Sequence, residues 1–161
     1  LRTRYPGYRI IPEGGSQHEA LNGIAALTEE LPGNFDVILT PVASGATLAG
    51  LSMAMKPHQQ AIGVAVLKGE GYLESLVSSL LPQPNSSWKI THDYHHGGYA
   101  KSSAPLLSFC QSFEEEIQIP IEPVYSGKLF FALKQMIGDG FFPDGQTIIA
   151  LHTGGLQGAR K

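Results

Sequence analysis

Residues 40–51 (TPVASGATLAGL) contain glycines and hydroxyl-bearing residues, and they connect a strand pattern to a helical pattern. The apolar, partly β-branched run at 35–39 predicts a buried strand, and apolar residues recur at helical spacing over 48–55. A turn between a strand and a helix directs free backbone N–H groups and the positive end of the helix dipole at one point. That point is a candidate anion site, at which two side-chain hydroxyls can add hydrogen bonds. The site consists of Ser44, Gly45, Ala46 and Thr47.

This stretch is neither a Walker loop, since no Gly-Lys-Ser/Thr ends it, nor a GxGxxG motif. Taken by itself, it also fits an ordinary tight turn. Each of four glycine-rich or polar segments, this one included, follows a predicted strand, and ligands bind beyond the carboxyl ends of parallel strands. We therefore expect them to meet at one rim of a sheet, joined by Tyr125 from a helix start. The segments are residues 13–16, 43–47, 94–99 and 152–155.

Strand and helix patterns alternate along the chain. This alternation predicts an α/β fold, a mostly parallel twisted sheet with helices on both faces. The predicted strands are residues 8–12, 35–40, 61–67, 88–91 and 147–151. The predicted helices are residues 17–31, a helix that follows the turn and ends near 55, and residues 72–81, 105–117 and 126–137. Ser16 and Glu19 suit a capping box at the start of the first helix.

The composition indicates one globular domain, with 161 residues of which 42% are hydrophobic and 16% charged. The net charge of −3 gives no electrostatic case for nucleic acid, and no apolar run approaches the length of a membrane span. The single cysteine, Cys110, excludes an intrachain disulfide, and we place it in the core. It favours a reducing, cytoplasmic setting, and no signal peptide is visible. Because the first residue is Leu1, we expect a piece of a longer chain.

Four motifs occur here in an order and spacing that resemble a known enzyme family. They are Pro12-Glu13-Gly14-Gly15-Ser16, Ala43-Ser44-Gly45-Ala46-Thr47-Leu48-Ala49-Gly50, Glu122-Pro123-Val124-Tyr125-Ser126-Gly127-Lys128 and His152-Thr153-Gly154-Gly155. Over essentially its whole length, the chain resembles the 1-aminocyclopropane-1-carboxylate deaminase / D-cysteine desulfhydrase family. The resemblance implies a pyridoxal-phosphate enzyme of fold type II, with a tryptophan-synthase-β-like fold. It also implies that residues 1–161 are a single α/β unit, the C-terminal part of the large cofactor-binding domain.

The resemblance implies roles for two groups of residues. Tyr125 and Tyr99 resemble catalytic tyrosines near the substrate, where a tyrosine can act in proton transfer or leaving-group activation. Thr153 resembles the residue that hydrogen-bonds the pyridine nitrogen of the cofactor. The implied cofactor-binding residues are Ser44, Gly45, Ala46 and Thr47 at the 5′-phosphate, and Thr153 and Gly154.

The family's Schiff-base lysine lies in its N-terminal half, which this chain does not match. Lys101 and Lys128 lie near the predicted rim, but we interpret both as solvated surface lysines. We therefore expect the 161 residues alone to be inactive. The resemblance implies a small amino-acid substrate and a homodimer.

The residue after the motif tyrosine predicts which reaction the enzyme performs. In the cyclopropane-opening branch of the family this residue is a glutamate, and a carboxylate keeps the pyridine nitrogen protonated. Here the residue is Ser126, and a neutral hydroxyl offers no compensating charge. The resemblance then favours β-elimination on D-cysteine or a relative over deamination of 1-aminocyclopropane-1-carboxylate.

Other interpretations remain open beside this one. His92, His95 and His96 suggest a metal site, but no Cys pair or HExxH motif accompanies them, so we interpret them as a polar loop and predict no metal. The chain could instead be a non-catalytic α/β module that binds a phosphorylated small molecule through residues 44–47. It could also be half a domain whose uncovered apolar surface dimerises or aggregates.

Overall fold

A computed structural model describes residues 3–156 of the chain, so residues 1–2 and 157–161 of the expected unit lie outside the described part. The helices are α1 (His18–Leu27), α2 (Ala46–Met53), α3 (Tyr72–Leu80), α4 (Ala104–Ile117) and α5 (Ser126–Gly138). The strands are β1 (Val37–Val42), β2 (Gln60–Ala65), β3 (Trp88–Thr91) and β4 (Ile148–Ala150). Two 3₁₀ turns, Glu13–Gly15 and Thr28–Glu30, flank α1.

The four strands form one parallel sheet in the order β3-β2-β1-β4. In the centre, Ile38 pairs with Ala61 of β2 on one side and with Ile149 of β4 on the other. The two central strands are buried almost throughout, as expected for parallel strands covered on both faces. The predicted α/β class with a parallel sheet is confirmed.

Helices cover both faces of the sheet. On one face, α1, α2 and α3 contribute Leu21, Leu48 and Leu73 to a core that includes Ile38. On the other face, α5 places Leu129 against Leu39 and Ile62 of the sheet. Helix α4 packs on α5 through a smaller aromatic cluster that holds Cys110, so the predicted core position of this cysteine is confirmed. No helix within residues 3–156 is both long and apolar enough to cross a membrane.

The predicted strand at residues 8–12 is wrong. These residues form no regular structure, and Tyr8 and Ile11 are 76% and 70% exposed, because no described strand offers them a partner. The segment 13–16 therefore does not follow a strand, and it reaches the rim through the Glu13–Gly15 turn.

The predicted capping box is also wrong. Helix α1 begins after Gln17 with no side-chain cap, and the Ser16 hydroxyl instead donates to the carbonyl of Ser44 at 3.4 Å. The remaining predicted elements are present, with ends displaced by a few residues. The largest difference is α1, which ends at Leu27 and continues as the 3₁₀ turn rather than as a helix to residue 31.

Gly50 allows α1 and α2 to approach closely, because a Cβ atom there would lie 2.5 Å from Ile24 Cβ. We expect Gly50→Ala to destabilise the chain by about 1–3 kcal/mol through overpacking, although alanine favours a helix. Gly23→Ala is the matched control, since its Cβ would meet nothing within 4 Å in α1, and it should stabilise the chain by about 0.5–1 kcal/mol. Urea denaturation measures both, and equal stability of the two variants would contradict the close contact.

Candidate active site

A cavity of about 790 Å³ opens at the edge of the sheet where the strands end. Its walls come from the segments that follow β1, β2, β3 and β4, from the Glu13–Gly15 turn, from one side of α3 and from the start of α5. Among its lining residues are Ser44, Gly45, Thr47, Tyr99, Tyr125 and Thr153. Two other predicted site residues, Ala46 and Gly154, do not line the cavity: Ala46 is buried, and the Gly154 amide donates to Nδ1 of His152. The predicted meeting of segments at one rim therefore occurs.

The loop at residues 43–47 has the geometry of an anion cradle. Gly45 adopts a left-handed conformation with φ of 88° directly before α2, so that residues 46–47 already belong to the first turn of the helix. The first intrahelical bond of α2 runs from the Ala49 amide to the Gly45 carbonyl, which leaves the amides of residues 46–48 without a helical acceptor. These amides, together with the cavity-lining residue Thr47, can bind an anion such as a phosphate group.

The Glu13–Gly15 turn lies directly against this loop. Gly14 has φ of 65°, and a Cβ atom there would lie 2.6 Å from the Ser44 hydroxyl oxygen. Only glycine allows the turn to approach so closely without displacing Ser44. The turn therefore forms one wall of the cradle, although it does not follow a strand.

The two predicted catalytic tyrosines contact each other in the cavity. The Tyr125 hydroxyl donates to the Tyr99 hydroxyl at 3.0 Å, and the two rings lie edge to face. Burial and the hydrogen bond to Tyr99 raise the pKa of Tyr125 to about 12. Tyr99 is the more accessible of the two, with 56% exposure. Tyr125 therefore stays protonated at neutral pH and can act as a proton donor.

Glu122 holds the start of α5, and the sequence analysis assigned it no role. It is 1% exposed, and its carboxylate accepts the backbone amides of Val124, Tyr125 and Ser126 at 2.6, 2.7 and 2.8 Å. These donors include the first amide of the helix, that of Ser126, which has no helical acceptor. Glu122 thereby fixes the backbone of Tyr125. An acidic residue just ahead of a helix start was the available signal.

Ser126 does not face the cavity. Its hydroxyl accepts the Glu122 amide at 2.9 Å and donates to the Glu122 carboxylate at 3.2 Å, and the residue is buried. The position after the motif tyrosine therefore presents neither a carboxylate nor a free hydroxyl to a ligand. Thr153 is the hydroxyl that lines the cavity at the end of β4.

Lys128 is fully buried, so its interpretation as a solvated surface lysine is wrong. Its ammonium donates to the carbonyls of Val66 and Gly98 at 2.9 and 2.8 Å. Burial lowers the pKa of Lys128 to about 8, against the opposing effect of the Glu122 charge. Sequence reasoning missed this burial because both carbonyls lie far away along the chain. Lys101 is exposed, as predicted.

The three histidines of the polar loop have separate partners. His92 Nε2 lies 2.7 Å from the Glu74 carboxylate, and His96 Nδ1 lies 2.8 Å from the Ser103 hydroxyl. His95 Nδ1 accepts the amide of Gly97. Within residues 3–156, no group of three or more His, Cys, Asp or Glu side chains converges on a point that could hold a metal ion.

Residues 5–154 match the family model described as "Pyridoxal-phosphate dependent enzyme". The chain belongs to this family. A crystal structure described as an "ACC deaminase homologue" superposes with a TM-score of 0.76 at 25% identity, and the match covers 92% of this chain and 50% of that one. A serine racemase from Dictyostelium discoideum, 21% identical with a TM-score of 0.53, shares the fold over 86% of this chain and 49% of its own.

Individual family members carry two kinds of name. A Pyrococcus furiosus protein, provisionally named 1-aminocyclopropane-1-carboxylate deaminase, is 30% identical over 92% of this chain and 50% of its own length. The "D-cysteine desulfhydrase" of Klebsiella pneumoniae is 27% identical over 96% of this chain and 53% of its own. An Arabidopsis thaliana relative, 28% identical over 92% of this chain and 42% of its own, is named as bifunctional for both activities. The chain thus spans about half the length of these relatives.

The residues at the cavity fit the phosphate end of pyridoxal phosphate. The amides of the first turn of α2, which have no helical acceptor, and the hydroxyls of Ser44 and Thr47 are donors suited to a phosphate dianion. The cavity volume lies within the range of small-molecule sites. No lysine is among the described residues that line the cavity.

Glu122→Gln tests how Tyr125 is held. The change keeps the side-chain size but replaces one acceptor oxygen by an NH₂ group that faces backbone amides. We expect the free energy of unfolding to fall by about 1.5–3 kcal/mol, the usual range for a hydrogen bond to a charged group. The amide resonances of residues 124–126 should shift. Glu116→Gln on the exposed end of α4 is the control, and it should change neither the free energy of unfolding nor these resonances. If Glu122→Gln also left both unchanged, the capping role would be contradicted.

Proposed function

We propose that this chain forms the phosphate-holding part of a pyridoxal-phosphate-dependent deaminase or desulfhydrase that acts on a small amino acid. The observation that carries the proposal is the presence of the α2 cradle and the Tyr99–Tyr125 pair in one cavity. The names of the relatives support the choice of reaction.

The proposed roles follow from what each side chain can do. Residues 44–47 bind the 5′-phosphate and so orient the cofactor in the cavity. Bound there, pyridoxal phosphate supplies an electron sink for the α-carbon of an amino acid. Tyr125, protonated and fixed through Glu122, donates a proton to the substrate or its leaving group, and Tyr99 accepts the hydrogen bond that orients the Tyr125 hydroxyl. The Thr153 hydroxyl forms a hydrogen bond with the ring nitrogen. Gly154 holds this segment at the cofactor through the bond from its amide to His152.

We further propose that the chain is the C-terminal part of the large cofactor-binding domain. In this proposal, the lysine that binds the cofactor comes from the portion of the family domain that these residues do not match. The difference in length from the relatives and the lack of a lysine among the described lining residues support it. The 161 residues alone would then be inactive. We place the protein in the cytoplasm as a homodimer; the unpaired Cys110 supports the first point.

Among the two named activities, we propose that D-cysteine desulfhydration is the stronger. Ser126 is turned away from the cavity, and the hydroxyl of Thr153 carries no charge to stabilise a protonated ring nitrogen. A weaker electron sink suits the expulsion of a good leaving group. The overall reaction is D-cysteine plus water to pyruvate, ammonia and hydrogen sulfide.

The second candidate is a non-catalytic module that binds a phosphorylated small molecule. The described lining residues include no lysine that could bind the cofactor covalently, which favours this candidate. The cradle itself needs no lysine to bind an anion.

Thr47→Val tests the cradle, since it removes a hydroxyl but keeps the shape of the side chain. We expect the chain to bind pyridoxal 5′-phosphate roughly ten-fold more weakly, because a hydrogen bond to a charged group contributes on the order of 1.5 kcal/mol. Binding of pyridoxal, which has no phosphate, should not change. Thr28→Val, outside the cavity, is the control. If Thr47→Val weakened the binding of both ligands equally, or of neither, phosphate binding at residues 44–47 would be contradicted.

The reaction is tested in the longest natural polypeptide that contains this chain, assayed with D-cysteine and with 1-aminocyclopropane-1-carboxylate side by side. We expect pyruvate and hydrogen sulfide from the first substrate to form faster than 2-oxobutanoate from the second. Tyr125→Phe should lower turnover at least 100-fold, in the range for general acid catalysis, and the exposed Tyr8→Phe should not. Faster turnover of the cyclopropane would overturn the preference. Cofactor binding without turnover of either substrate would favour the non-catalytic module.

A further inference from the structure

The Lys128 side chain joins three parts of the candidate active site. It lies in the first turn of α5, three residues after Tyr125, and is 0% exposed. One carbonyl that it binds belongs to Val66, which follows β2 and precedes the cavity-lining Leu67. The other belongs to Gly98, which directly precedes Tyr99. The ammonium therefore connects the helix that carries Tyr125 to the segment that carries Tyr99.

The segment around Tyr99 has a backbone that local interactions do not favour. Positive φ angles occur at His96, Gly97, Gly98 and Ala100, with values of 51°, 100°, 118° and 52°. Two of these four residues have a side chain, and such conformations persist only when surrounding structure supports them. The backbone bonds within the segment are two turns, from the Gly98 amide to the His95 carbonyl and from the Lys101 amide to the Gly98 carbonyl.

Helix α5 supplies tertiary support at three points. Lys128 binds the Gly98 carbonyl, the ring of Phe131 packs edge-on against His96 with centroids 4.7 Å apart, and Tyr125 bonds Tyr99. Of these, only the lysine contact bonds the backbone of the segment. The Gly98 carbonyl accepts both the ammonium and the Lys101 amide, which uses both of its lone pairs.

We propose that Lys128 is a positioning residue that holds the backbone of residues 95–101 so that Tyr99 stays against Tyr125. An apolar side chain of the same length would fill the space but leave the buried carbonyls of Val66 and Gly98 without this donor. The proposed effect on the backbone rests on the contacts of Lys128 and does not depend on the proposed function. The effect on catalysis also rests on the proposed function of the two tyrosines.

Hydrogen exchange in the 161-residue chain tests the positioning role without any assay of activity. In Lys128→Met, the amides of Gly98 and Lys101 should lose at least ten-fold more protection than the amide of Ala61, which donates to Ser87 beside the sheet. Met136→Ala is the control, because Met136 is also buried on α5 but packs only in the apolar core. It should reduce protection without singling out residues 98 and 101. An equal loss at all three amides in Lys128→Met would overturn the proposal.

The unmodified chain gives a second test if Lys128→Met fails to fold. The amides of Gly98 and Lys101 should be protected in it, and free exchange at both, with Ala61 protected, would overturn the proposal.

Turnover separates this inference from the proposed function. In the longest natural polypeptide, Lys128→Met should lower kcat at least ten-fold with little change in KM for the amino acid, because the tyrosines are displaced while the phosphate cradle is intact. Local loss of protection in a protein that turns over neither substrate would leave the positioning role standing and refute the proposed function. An unchanged kcat in a variant that has lost this protection would refute the link between the segment and catalysis.

Discussion

The burial of two opposite charges at the start of α5 is the constraint on which the candidate active site depends. A charged group removed from water is costly unless hydrogen bonds replace its hydration. The Glu122 carboxylate obtains them from three backbone amides and the Ser126 hydroxyl, and the Lys128 ammonium obtains them from two carbonyls. The Glu122 set lies within residues 122–126, whereas the Lys128 set is available only when the end of β2 and the loop before Tyr99 both lie against the first turn of α5. The interactions that make these charges tolerable are therefore the same interactions that align the two tyrosines.

The opposite wall of the cavity depends on close packing rather than on charge. Helix α2 is buried almost all round, and it lies over β2 at Gly63, where a Cβ atom would come within 2.5 Å of Val42 and 2.7 Å of Leu48. This contact fixes the position of the helix on the sheet. The first amides of this helix, which have no helical acceptor, consequently hold a fixed place beside the cavity, as binding one anion in one orientation requires. Apolar packing thus positions the cradle, and buried polar bonds position the tyrosines.

The sequence predicted the parts of the molecule that local patterns determine. Continuous apolar runs identified β1 and β2, and the change to helical spacing after Thr47 identified α2, although the helix begins at Ala46, within the predicted turn. The strand at 8–12 was wrong because β-propensity needs a neighbouring strand to be realised. The burial of Lys128 could not be read from local spacing, since its two acceptors are 62 and 30 residues away. The motif containing Glu122 was recognised in the sequence, but the role of its carboxylate was not, because that role depends on the turn that brings three amides to it.

The ionisation of Tyr125 limits its chemical role. Because its pKa is raised to about 12, Tyr125 is protonated at pH 7 and is not available as a base there. Glu13, the acidic residue of the cavity wall, adds to the effects that keep it protonated, and a phosphate dianion at the α2 cradle would act in the same direction. A reaction that removes a proton from an amino acid also needs a base. Under the proposed function, Tyr125 supplies the acid, and a lysine from the part of the family domain that these residues do not match would supply the base.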